Sequence, residues 1–151
     1  MSHDVTFLIV DDDRVSVMAI ERAIRKLRLD NPIEVAGDGL EALDRLREGP
    51  RDLRPYIILL DLHMPRMGGL EFLSNVRQDV ELRNSVVFVQ TTSYAPADIA
   101  KAYEHMVAGY IVKDNTFESM RRAMEMLGAY TRIVRLPGER RPPYVTAARA
   151  L

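Results

Sequence analysis

Val5 to Val10 is a short, almost wholly apolar run containing β-branched residues. A strand covered on both faces reads this way. The pattern returns at Tyr56 to Leu60, and shorter versions occur at Ile33 to Ala36, Val86 to Val89 and Tyr110 to Val112. Between these runs the apolar spacing lengthens to three and four. Val17, Ile20, Ala23, Ile24 and Leu27 predict a helix over Arg14 to Leu29, with Asp13 as its N-cap and Asn31-Pro32 as its stop. Leu40, Leu43 and Leu46 predict a second helix. It opens on a capping box, Asp38 with Glu41, and ends near Gly49-Pro50. The turn Met67-Gly68-Gly69 precedes a third helix, from about Leu70 to Arg77. Pro96 suits the first turn of a fourth, with Ile99, Tyr103 and Met106 on one face. Thr116 caps a fifth, with Phe117, Met120, Met124 and Leu127 in phase.

Strands alternating with helices imply a parallel sheet with helices on both faces, an α/β fold. Ligands of such sheets bind at the carboxyl ends of the strands, near the point where strand order reverses. The conspicuous polar residues fall there. Asp11, Asp12 and Asp13 follow the first strand, Asp61 the third, Thr91 the fourth and Lys113 the fifth.

Gathered carboxylates are costly. Two of them ~4 Å apart repel by about 4 kcal/mol at an effective dielectric of ~20. Three or four are expected to raise one another's pKa. A hard divalent cation such as Mg²⁺ reverses that cost, with Asp11 or Asp12, Asp61 and a backbone carbonyl as protein ligands. Asp61 is then the expected nucleophile, since a carboxylate can accept a phosphoryl group. Lys113 and the Thr91 hydroxyl would face the phosphoryl oxygens.

The motifs LIVDDD, GDGLEAL, LLDLHMPRMGGLEFL, VQTTS and GYIVK, in that order, resemble the receiver domain of two-component response regulators, over roughly Val5 to Tyr130. The resemblance implies a flavodoxin-like, doubly wound sheet of order 2-1-3-4-5 with five helices. It makes Asp11 and Asp12 the acidic pair, Asp61 the phosphoacceptor, Thr91 the switch hydroxyl and Tyr110 the switch aromatic. The His63 carbonyl would complete the Mg²⁺ ligands, and the His63 and Ser93 side chains would tune hydrolysis at the pocket mouth. The family usually has proline after the lysine, in a cis bond; here Asp114 stands there. A cis bond before a non-proline costs ~3 kcal/mol, so this loop is expected to be trans or rearranged. TTSYAPADIAKAYEHMVAGYIVK and GAYTRIVRLP look most like the small regulators associated with bacterial phytochromes and other histidine kinases.

Composition narrows the rest. The chain has 151 residues, 47% hydrophobic and 28% charged, and no cysteine, so neither disulfides nor thiolate-bound metals are possible. No apolar run nears the ~20 residues of a membrane helix, and the N-terminus lacks signal-peptide features, so a cytoplasmic protein is expected. The net charge of −1 does not call for nucleic acid. A receiver over residues 1–130 and a C-terminal extension over 131–151, a short arm and a loose tail, leave no room for an output domain. The expected function is a phosphorylation-gated regulator, not an enzyme with its own substrate. A histidine kinase or phosphotransfer protein, a bacterial phytochrome among the candidates, would donate to Asp61. By the family resemblance, output would be altered protein–protein contact, including a homodimer through the face of strand 4, helix 4, strand 5 and helix 5 and the C-terminal arm. Two alternatives remain: a receiver-like adaptor that takes no phosphate, supported by Lys113-Asp114, and a dehalogenase-like phosphatase, for which the expected cap domain has no place.

Overall fold

The computed structural model describes residues 5–49, 55–114 and 116–138. Two strands form its centre, β1 (Thr6–Val10) and β3 (Tyr56–Leu60), and every residue of both is buried. β2 (Ile33–Ala36) flanks β1; β4 (Val86–Thr91) and β5 (Gly109–Val112) follow β3. All pairings are parallel, in the order β2-β1-β3-β4-β5, as the family resemblance implied.

Period-two alternation splits the core. Leu8, Val10, Ile58, Leu60, Val87 and Val89 face α2 (Gly39–Glu48), α3 (Gly69–Gln78) and α4 (Pro96–Glu104). Phe7, Ile9, Ile57, Leu59 and Phe88 face α1 (Arg14–Lys26) and α5 (Phe117–Ile133). Each such fully buried side chain contributes about 1.5–3 kcal/mol.

The helix starts follow the expected capping chemistry. Asp13 Oδ1 accepts from Val15 N at 3.0 Å, and Thr116 Oγ1 accepts from Ser119 N at 3.1 Å. Asp38 Oδ1 accepts from Glu41 N at 2.9 Å, but Glu41 returns to Gly37 N rather than to the backbone of Asp38.

Four expectations are corrected. α1 ends at Lys26, not Leu29: Arg28 adopts a left-handed φ of 57° and Leu29 N donates to Ile24 O, closing the helix before Asn31-Pro32. In α4 the face read from Ile99, Tyr103 and Met106 is not the one that packs inward: Ala102 is the buried residue, while Tyr103 and Met106 are 49% and 76% exposed. The small Ala102 lets the helix lie close to the sheet, and Met106 falls beyond the helix end at a φ of 60°. Phe117, expected in phase with the α5 core, is 42% exposed at the first turn. The arm expected from Thr131 starts later, because Thr131, Arg132 and Ile133 continue α5, after which Leu136 packs into the core. The tail over 139–151 and His3 lie outside the described residues.

The β3–α3 loop closes tightly on itself. Gly69 N donates to Leu62 O at 2.9 Å, and a Cβ at Gly69 would sit 2.6 Å from Asp61 O and 2.7 Å from Leu62 Cα. Those are backbone atoms and cannot step aside. Gly69→Ala is expected to lower stability by about 1–3 kcal/mol, read as a lower urea midpoint at unchanged slope.

Candidate functional site

The sheet's own ladder sets the site. Asp11 N donates to Ala36 O, Asp61 N to Val10 O and Lys113 N to Thr91 O, at 2.8–3.0 Å. Each of these residues is therefore the first beyond its strand yet still held by a backbone bond. Their side chains meet above the point where the strand order reverses, between β1 and β3.

Asp11, Asp12 and Asp61 each offer a carboxylate oxygen, and these lie within 4.8 Å of one another. Three hard oxygens at that separation fit Mg²⁺ or Mn²⁺ with waters completing the shell. The third acid of the opening run belongs elsewhere: Asp13 caps α1, and its N–H donates to Asp11 Oδ1 at 2.9 Å. Asp11 is buried, Asp61 half-buried and Asp12 exposed.

The two oxygens of Asp61 differ. Oδ1 accepts from Thr91 Oγ1 at 2.7 Å and from His63 N at 3.4 Å. No hydrogen bond from a described residue reaches Oδ2. The Asp61 pKa is raised above the usual carboxylate value, chiefly by burial; the Thr91 hydrogen bond and the Lys113 charge pull it back. Repulsion from Asp11 also raises it, but by less than burial, so desolvation outweighs the crowding of acids stressed in the sequence reading.

Lys113 commits its ammonium to Asp11 Oδ2 at 2.7 Å and to Ser16 Oγ at 2.8 Å. Ser16 was missed; its only signal was its place one turn into α1 on the acidic edge. Asp114 does not crowd Lys113. Its Oδ1 accepts from Thr116 N at 3.0 Å and Thr116 Oγ1 at 2.8 Å, which lowers its pKa. The Lys113–Asp114 bond is trans, as its lack of proline foretold.

A second cluster borders the first. Ser93 Oγ donates to Asp98 Oδ2 at 2.6 Å, and His63 Nε2 lies 3.9 Å from the same oxygen. His63 is an exposed residue here. Tyr110 donates to Ser93 O at 2.8 Å, so its ring is turned toward the β4–α4 loop. Elsewhere, Arg66, at a left-handed φ of 63°, forks onto Asp38 at the start of α2. This clamp was also missed, since nothing local pairs positions so far apart.

Residues 7–125 match the family described as the response regulator receiver domain. The chain is 38% identical over 125 residues to a probable methanogenesis regulatory protein, FilR2, of Methanothrix harundinacea, covering 82% of this chain and 81% of that one. It resembles the crystal structure of a phosphorylated cyanobacterial phytochrome response regulator, RcpA, with a TM-score of 0.79 and 27% identity over 89% of this chain and 99% of that one. The Mn²⁺-bound form of response regulator Rcp1 gives a TM-score of 0.76 and 26% identity over 89% and 99%.

A carboxyl whose folded pKa is raised binds its proton more readily when folded, so its charged form weakens the fold. Stability then falls as pH climbs from the ordinary carboxylate value through the raised one, and the penalty is constant above it. In metal-free buffer with chelator, Asp61→Asn is expected to be more stable than the parent at pH 7. Urea midpoints should show that advantage shrinking as pH drops toward 4.

Proposed function

The chain belongs to the response regulator receiver domain family, and on that premise we propose that it is a phosphorylation-gated signalling protein whose acceptor is Asp61. The observation that carries this reading is the asymmetry at Asp61: Oδ1 is held by Thr91 and the His63 N–H, and Oδ2 is left to react. Oδ2 attacks the phosphorus of a phosphohistidine on a histidine kinase or phosphotransfer protein. The new O–P bond forms as the N–P bond breaks, and the imidazole leaves with that electron pair. Water later cleaves the acyl phosphate and regenerates the carboxylate.

Asp11, Asp12, Asp61 and the His63 carbonyl would hold Mg²⁺, which supplies neutralisation of the phosphoryl charge when bound. Lys113 stands beside Asp11, within the same charged edge, to balance the added phosphate. Thr91 exchanges Asp61 for a phosphoryl oxygen, and the β4–α4 loop moves with it. Tyr110, bonded to Ser93 O in that loop, carries the movement to β5. His63 and Ser93, sharing Asp98 at the mouth, control the approach of water.

Output is a changed face of β4, α4, β5 and α5, where Tyr103 and Met106 are exposed. That face serves a protein partner or a second copy, with the C-terminal arm contributing. The donor is a cytoplasmic kinase, and the likeness to a phytochrome response regulator makes a bacterial phytochrome one candidate. Against the adaptor alternative stands the placement of Asp114, whose carboxylate is taken up by Thr116 rather than by Lys113.

Incubation with acetyl phosphate and Mg²⁺, followed by intact-mass measurement, tests the reading. One added phosphoryl group is expected on the parent and on Thr91→Ala, and none on Asp61→Asn. An unmodified parent, or an adduct that survives in Asp61→Asn, sinks it.

A further inference from the structure

On the α1/α5 side of the sheet lies a cleft of about 770 Å³, bounded by α1, β5 and the start of α5. That volume is in the range of small-molecule sites. Its apolar surface includes Ile111, Met120 and Phe117. Gln90 lines it from β4, and the reason is register: Gln90 shares the parity of Phe88, opposite to Val89 and Thr91.

Gln90 is only 3% exposed, and its amide is half satisfied. The nitrogen donates to Met120 Sδ at 3.2 Å, a weak acceptor, and Oε1 has no partner among the described residues. A buried acceptor left unpaired marks a place where a donor is wanted. Met120 is unbranched and can yield, so a small rotation presents Oε1 to the cleft.

The rim supplies a second, independent feature. Arg22 and Lys26 hang over the Phe117 ring, 5.7 and 5.6 Å from its centroid. Neither forms a salt bridge among the described residues, whereas Arg25 is paired with Glu21 and Lys113 with Asp11. Two unpaired cations around an exposed ring call for an anion attached to an apolar, flat body.

We propose that this cleft binds an aryl carboxylic acid bearing an O–H or N–H donor at the end remote from the carboxylate. The carboxylate meets Arg22 and Lys26, the ring lies against Phe117, Ile111 and Met120, and the donor reaches Gln90 Oε1. Ser16 also lines the cleft and accepts from Lys113, so the ligand would touch the hydrogen-bond network of Lys113 without entering the acidic cluster.

The test titrates the full chain with 4-hydroxyphenylacetate and with phenylacetate, followed by amide NMR shifts. Saturable shifts around Ser16, Ile111 and Phe117 are expected, with the hydroxylated probe about tenfold tighter. Gln90→Leu, checked for an intact fold by its urea midpoint, should abolish that preference. The surface pair Arg22→Ala with Lys26→Ala should weaken both probes about tenfold. Asp61→Asn should bind like the parent, which keeps this result separate from the fate of the phosphoacceptor reading. Absence of saturable shifts, which would leave Gln90 served by water alone, overturns the proposal. So does equal affinity for the two probes, or a preference that survives Gln90→Leu.

Discussion

Lys113 and Asp11 end strands that are not neighbours, since β3 and β4 lie between β5 and β1, yet their charged atoms are 2.7 Å apart. Both side chains are withdrawn from water, at 7% and 3% exposure. Dehydrating two charges costs several kcal/mol, so the pair must be well bonded to persist. Ser16 Oγ accepts a further hydrogen bond from Lys113, and the Asp13 N–H donates to the other oxygen of Asp11. This bridge orders the carboxyl edge. With the ammonium committed to Asp11, Asp61 is held by a hydroxyl and a backbone N–H and keeps one oxygen without a donor among the described residues.

The same chemistry, a carboxylate accepting N–H, serves two purposes along this edge. Asp13 and Asp38 complete helix starts, and Asp38 is held below the usual carboxylate pKa, first by the Glu41 N–H and then by Arg66. Asp114 does similar work before α5. Asp11 and Asp12 are one or two positions from a cap but face the cluster instead. A run of three acids is thus a division of labour imposed by the turn from strand to helix, where successive side chains leave the backbone in different directions.

The strands and the converging acids were legible because a doubly covered strand leaves few residue types open, whereas the strand order came from the family resemblance. Asp11, Asp61, Thr91 and Lys113 stood directly after or at the end of such runs, and the parallel ladder carried them to one edge. Local chemistry also announced Asp13, Asp38 and Thr116. What escaped notice depended on contacts between distant segments. Arg28 closes α1 where glycine is the usual signal. Ala102, too small to stand out in an apolar pattern, faces inward and turns Tyr103 out. Ser16 and Arg66 acquire meaning only once Lys113 and Asp38 arrive beside them.

Arg77 of α3 was equally silent in the sequence. Its guanidinium donates to the carbonyls of Arg83, Ser85, His105 and Met106, at 2.6–3.1 Å. Those carbonyls lie in the segments leading into β4 and β5, at the amino rim of the sheet. One planar fork with five donors therefore buckles two incoming segments to the same helix. The two rims are unequally fastened as a result. The amino rim is riveted by one multivalent cation, whereas at the opposite rim the side-chain hydroxyls of Tyr110 and Thr91 each make one hydrogen bond among the described residues. Loosening the second costs far less than loosening the first, so strain applied at the carboxyl rim is relieved there and does not unzip β4 from β5.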